Sequence, residues 1–163
     1  MALKTDRSTL DVDISFFMNE TATRGGVVCQ STGGSGAAMD QGAALVTYSA
    51  IPSGKVPVGL LLNDMVNLDL TRQHLNQHKD EVQQGGKVTL LRKGYVVTDN
   101  LEGTDPSAGD PAYVAHSGNL SASDLSNDDT DADGSTRVVG RFLSGVDQDG
   151  YAKVYIDLPN TNV

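Results

Sequence analysis

The chain has little that would staple, anchor or catalyse. It holds one cysteine, Cys29, in 163 residues, so no disulfide can form within it and nothing calls for an oxidising compartment. Cys29 itself reads as a small apolar filler in a strand. Tryptophan is absent, and the aromatics are three phenylalanines and five tyrosines. That scarcity implies a modest core and leaves no aromatic platform for a sugar. Twelve lysines and arginines stand against 21 aspartates and glutamates, a net charge of −9. Such a balance argues against a nucleic-acid groove and against an anionic membrane surface, since both need clustered cations. No window approaches the ~20 apolar residues of a membrane span, and the opening Met-Ala-Leu-Lys-Thr-Asp-Arg-Ser has no apolar signal core. The expectation is a protein made and kept in a reducing cytoplasm, or in a particle assembled there.

What the chain does have is glycine, 18 of its 163 residues, set between short β runs. The length suits one domain. The clearest signal lies in the final third, where Val138 to Leu143 and Tyr151 to Leu158 are rich in β-branched and aromatic residues. Between them Asp147-Gln-Asp-Gly150 supplies the Asp-Gly pair of a tight hairpin turn. Ala43–Ser49, Val56–Leu62, Lys87–Leu91 and Tyr95–Thr98 also read as strands, with turns at Pro52-Ser-Gly54 and Arg92-Lys-Gly94. Gly109–Ala115 is a further strand. One helix is predicted over Leu68–Gln84: Asn67 or Asp69 caps it, Leu70, His74, Leu75, His78 and Val82 keep a three-four spacing, and Gly85-Gly86 ends it. Asn119 to Thr136 is expected as a long acidic loop. The fold class is therefore mainly all-β, a small β barrel or tulip-shaped domain with one short helix.

Residues 1–26 differ from the rest, residues 27–163, which read as a single β-rich domain. Leu10, Val12, Ile14 and Phe16 alternate with Asp11, Asp13 and Ser15, a period-two pattern with one apolar face. Thr21-Ala-Thr-Arg-Gly-Gly26 follows it. Two readings stay open: an extended arm whose apolar stripe needs a neighbour, with little part in the fold, or an ordinary first strand.

The candidates for chemistry are weak. Asp129-Thr-Asp-Ala-Asp-Gly134 begins like a calcium loop, with Asp129, Asp131 and Asp133 at alternate positions before a glycine, and Asp124 or Asp128 within reach. Position twelve would be Gly140 rather than a bidentate glutamate, so the EF-hand reading fails and a solvated acidic loop is the plainer one. His74 and His78 would share a face of the predicted helix, with Glu81 as the nearest third ligand. Residue 75 is leucine, so the metalloprotease spacing is missing. Gly34-Ser-Gly36 has no following lysine to make a phosphate cradle. Ser53 and Ser144 lie beside glycines but in no nucleophile-elbow pattern. His116 could pair with one of many aspartates, which carries little information. No catalytic residue, cofactor or metal is assigned, and the chain is expected not to be an enzyme.

Several short strings occur in a telling order: Gly54-Lys-Val-Pro-Val-Gly-Leu60, then Gly86-Lys-Val-Thr-Leu-Leu-Arg-Lys-Gly-Tyr-Val-Val97. Gly109-Asp-Pro-Ala-Tyr113 comes next, then Val139-Gly-Arg-Phe142 and Gly150-Tyr-Ala-Lys-Val154. Over residues 43–158 this order resembles the small decoration, or cement, proteins on the capsids of tailed bacteriophages. The helix at 68–84 and the acidic loop at 119–136 depart from that pattern. The resemblance implies a structural virion protein on the capsid surface, made in the bacterial host cytoplasm. Its partners would be the major capsid protein and copies of itself, as a homotrimer, with no nucleic acid and no membrane. Two other classes compete: a calcium-dependent adhesion or carbohydrate-binding β module, and a hydrolase of unknown type.

Overall fold

The computed structural model describes residues 3–31, 45–64, 68–69, 74–75, 81–125 and 137–159, with no side-chain account for positions 63–64, 68–69 and 74–75. In chain order its strands are β1 (Ser8–Asp13), β2 (Phe17–Met18), β3 (Ala22–Thr23), β4 (Val27–Gln30), β5 (Leu45–Thr47), β6 (Pro57–Asp64) and β7 (Leu68–Asp69). After these come β8 (His74–Leu75), β9 (Glu81–Val82), β10 (Val88–Thr98), β11 (Pro111–Val114), β12 (Leu120–Ser121), β13 (Val138–Phe142) and β14 (Ala152–Asp157). The protein is mainly all-β, as its composition of short β-branched runs and glycine turns suggests. The main sheet runs β12-β11-β13-β14-β10-β6-β4-β5-β2, with β1 added to β10. Its two terminal strands are two residues long, and among the described residues it does not close into a barrel.

Continuous apolar runs explain where the core lies. Gly59-Leu60-Leu61-Leu62 in β6 and Val27-Val28-Cys29 in β4 have no polar side to turn outward, so both strands are covered on both faces. Leu60, Leu62, Val27 and Cys29 enter one cluster with Leu91, Val96, Phe142, Val154 and Ile156. Leu61 and Val28 enter a second, on the opposite faces, with Phe16, Met18, Val46, Val82, Val88 and Leu90. Cys29 is thus a buried filler in β4.

The predicted hairpin is present. Gly140 faces Ile156, Arg141 faces Tyr155 and Phe142 faces Val154. Asp147 shapes its turn by accepting Asp149 N and Tyr151 N at 2.9 and 2.8 Å, and Gly150 takes the positive φ of 87°.

Three local expectations are corrected. Where a helix was predicted, Leu68 faces Leu75 and Asp69 faces His74 in an antiparallel ladder, and Val82 faces Ala22 of β3. The three-four spacing suits a helix face, but Leu68 and Leu75 pair with each other in a local ladder and Val82 takes its partner from residues 22–23, so strand pairing overrides local helix propensity. Arg92-Lys-Gly94 is not a turn either. It bends one eleven-residue strand, β10, whose lower part pairs with β6 and whose upper part pairs with β14. Within the expected acidic loop, Leu120 and Ser121 form β12 and are buried.

Candidate docking surface at the N-terminal strand

The first 26 residues contribute β1, β2 and β3. β1 lies antiparallel to β10, with Ser8 facing Tyr95, Thr9 facing Gly94 and Val12 facing Leu91. The approach is tight at Gly94, where φ is 141° and an added Cβ would collide with the Ser8 carbonyl. Register shifts between Thr9 and Asp11 and between Asp11 and Val12 break the alternation that the sequence implies. As a result Leu10, Asp11 and Val12 are all exposed in succession. Leu10 is 70% exposed, Val12 45% and Ile14, just beyond the strand, 40%. The fourth member of the pattern, Phe16, turns inward, is 5% exposed and packs with Met18 and Val28. Three of the four residues of the alternation therefore form one exposed apolar stripe, and the fourth belongs to the core.

Polar contacts hold the stripe's strand in place. Lys4 N donates to Val97 O at 3.0 Å, and Lys4 Nζ lies 2.8 Å from Asp147, 3.9 Å from Asp149 and 4.4 Å from the Tyr151 ring centre. Asp6 meets Lys153 at 3.3 Å and accepts the Tyr95 hydroxyl at 3.1 Å. Arg92 reaches Asp13 at 3.3 Å, and Asp13 accepts Ser15 N at 2.8 Å. The hydrogen bond from Lys4 holds the Asp147 carboxyl below its ordinary value, and the same bond holds the Lys4 ammonium above its own. Pairs this exposed contribute little each, because water and salt screen them. One apolar plug, Leu3 at 2% exposed, completes the attachment.

The groups singled out for chemistry sit elsewhere. His116 Nδ1 is 2.8 Å from Glu102 Oε1, while Glu102 Oε2 accepts His116 N at 3.0 Å and Asn119 Nδ2 at 3.4 Å. Glu102 is thereby occupied in holding the 3-10 turn His116–Gly118. This pairing was missed because 14 residues separate the partners, and no local spacing marks it. Burial pushes the Cys29 thiol up to about 11, which leaves it protonated and a poor nucleophile at neutral pH. His74 lies on β8 and Glu81 on β9, so the helical face that was to join them is absent, and His78 is outside the described residues. Asp129, Asp131 and Asp133 are outside them too. Among the described residues no group of three or more acids, histidines or cysteines could hold a metal ion.

The described residues thus form a glycine-rich, mainly β scaffold that presents an apolar edge strand. Residues 9–157 match the family model described as Structural cement protein (E217 gp24/Pam3 gp6). The chain belongs to this phage cement protein family, which makes it a structural virion protein that associates with the phage capsid. No curated protein matches it. The family match begins inside β1, so the exposed stripe falls within it.

Proposed function

We propose that this protein is a cement, or decoration, protein that binds the outside of the capsid and stabilises the shell. Residues 1–26 carry its contact with the major capsid protein. The observation that supports this reading is the stripe Leu10, Val12 and Ile14, three large apolar side chains 70%, 45% and 40% exposed on β1 and just beyond it. Large apolar side chains exposed this close together in the chain are a place for a partner to dock. A strand of the capsid subunit laid along β1 would gain main-chain hydrogen bonds as well as side-chain burial. Burying what the three side chains still expose would contribute roughly 1 kcal/mol each, and more for Leu10, before ordering costs. A modest contact suffices, because a shell repeats it many times and avidity multiplies it. Phe16 supports the site from within, by anchoring the chain that follows the stripe.

The protein acts as a homotrimer, or as a monomer that trimerises on the shell after synthesis in the bacterial host cytoplasm. Co-sedimentation of the purified chain with empty capsid shells tests the reading. The chain should pellet with the shells and remain in the supernatant without them, and recovery in the supernatant in both cases would contradict it. Light scattering and sedimentation of the free chain test the assembly state, where a dimer persisting both free and shell-bound would overturn the trimer.

A further inference from the structure

The described basic residues of this acidic chain are not evenly spread. Lys4, Arg7 and Arg24, with Leu3 and Thr5, line one open cleft of about 240 Å³, formed where the segment ahead of β1 passes the turn between β3 and β4. Leu3 makes its apolar wall. Lys4 already demonstrates the chemistry, with its ammonium shared between two carboxylates, Asp147 and Asp149. Arg7 is exposed, and among the described residues it makes no ion pair. A guanidinium so placed offers a planar fork that takes a carboxylate through two hydrogen bonds.

We propose that the Lys4–Arg7–Arg24 cleft is a carboxylate-binding site that receives an acidic side chain of the capsid subunit, seated beside the apolar stripe of β1; this rests on the cement reading above. Continuity carries the choice of occupant. Residues 4–7 run directly into β1, so a partner strand lying along Leu10, Val12 and Ile14 reaches the cleft with its next few residues. A second copy docked by the same face would have to bring together two chains of net charge −9. A nucleic acid is opposed by that same net charge. Arg7 supplies the fork, Arg24 lines the wall beside it, Lys4 is fixed in the lining by Asp147, and Leu3 keeps one side dry. Because the cleft joins the N-terminal segment to the β3–β4 turn, a bound carboxylate also ties that segment down.

Two arms of one experiment decide it. In the first, the full chain is titrated with a hexaglutamate peptide while the arginine side-chain resonances are followed by NMR, with hexalysine and a single-stranded oligonucleotide as controls. Hexaglutamate should shift the Arg7 and Arg24 signals, saturably and less at high salt, and Arg7→Glu should weaken it by about tenfold. Thr5→Asp, at an exposed position, should do the same by placing the chain's own carboxylate in the cleft. Unmoved arginine signals overturn the proposal, and so does an oligonucleotide that binds as well as hexaglutamate. In the second arm both variants are pelleted with capsid shells, and about tenfold weaker binding is expected. If wild type does not pellet, the cement reading and the capsid occupant fail together, and the first arm still decides whether the cleft takes carboxylates. If wild type and both variants pellet alike, the cleft proposal alone fails. Self-association abolished by Arg7→Glu would replace the capsid subunit by a second copy and overturn the choice of partner.

Discussion

β1 and β14 are both six-residue strands, and both lie antiparallel to β10. They are attached by different physics. β14 alternates cleanly, sending Ala152, Val154 and Ile156 into the core against Phe142 and Val96. β1 is bulged, buries none of its side chains fully, and is held by backbone bonds and exposed ion pairs. Equal lengths of ladder can thus serve opposite ends. One is fixed by apolar burial, and the other, on the reading proposed above, is a surface held in place to meet a partner.

The sharpest way to break this comparison is to cut the chain at two points. Removing residues 1–24 takes away Leu3, Phe16, Phe17 and Met18, all buried, together with the β3 partner of β9. Losses of about 2–5 kcal/mol for each of these four core side chains are together as large as the whole net stability of a typical domain, about 5–15 kcal/mol. No cooperative unfolding transition should remain in denaturant or on heating. Removing only residues 1–13 should leave a cooperative transition with a lowered midpoint. If the longer deletion melts like the full chain, residues 16–18 are not core.

Phe142→Ala, on the β13 side of the hairpin, should cost about 3–5 kcal/mol in a denaturant titration. Phe142 is fully buried, and its removal leaves a cavity among strands that cannot collapse onto it.

That contrast also explains what the sequence made legible. The β13–β14 hairpin could be read because its turn chemistry, alternation and partner all lie within about twenty residues of one another. The stripe Leu10, Val12 and Ile14 was visible as apolar alternation. That it would face water was not, since the register shifts beside Asp11 arise from contact with β10 some eighty residues on. Gly94 was misread because a glycine permits both a turn and a bent strand, and β6 and β14, far away in sequence, decide between them. The helix at 68–84 failed in part for the same reason: β3 supplies a partner for Val82 that no local window contains, while Leu68 and Leu75 pair with each other. The cleft was invisible because Arg24 comes to Lys4 and Arg7 only when β3 and β4 fold beside them.

A smaller effect should set β1 apart by pH. Asp147 is held below its ordinary value of 3.8 by Lys4, so its contribution is fully present above that value and is lost as the pH falls through the lowered one. Lys4 is held above 10.5, so its contribution is present below 10.5 and is lost as the pH rises through the raised value. Hydrogen exchange of β1 amides, expressed relative to β6 because Asp147 also holds the turn into β14, should therefore quicken below pH 3.8 and again above 10.5, with a plateau between. A constant ratio across that range would show that the Lys4–Asp147 pair does not hold the strand.

A modest effect on stability should accompany the largest effect on function. Leu10, Val12 and Ile14 are 70%, 45% and 40% exposed, so replacing them together by serine removes apolar surface that the free protein buries only in part, at a cost of about 1 kcal/mol or less for each change. The most direct measurement is co-sedimentation of this triple variant and the wild type with capsid shells, each first shown by a denaturant titration to be folded under the conditions of the assay. The account predicts that the wild type pellets with the shells while the folded variant stays in the supernatant. A variant that pellets as fully as the wild type would contradict it, and would show that β1 is an edge of the fold and not the surface that meets the capsid.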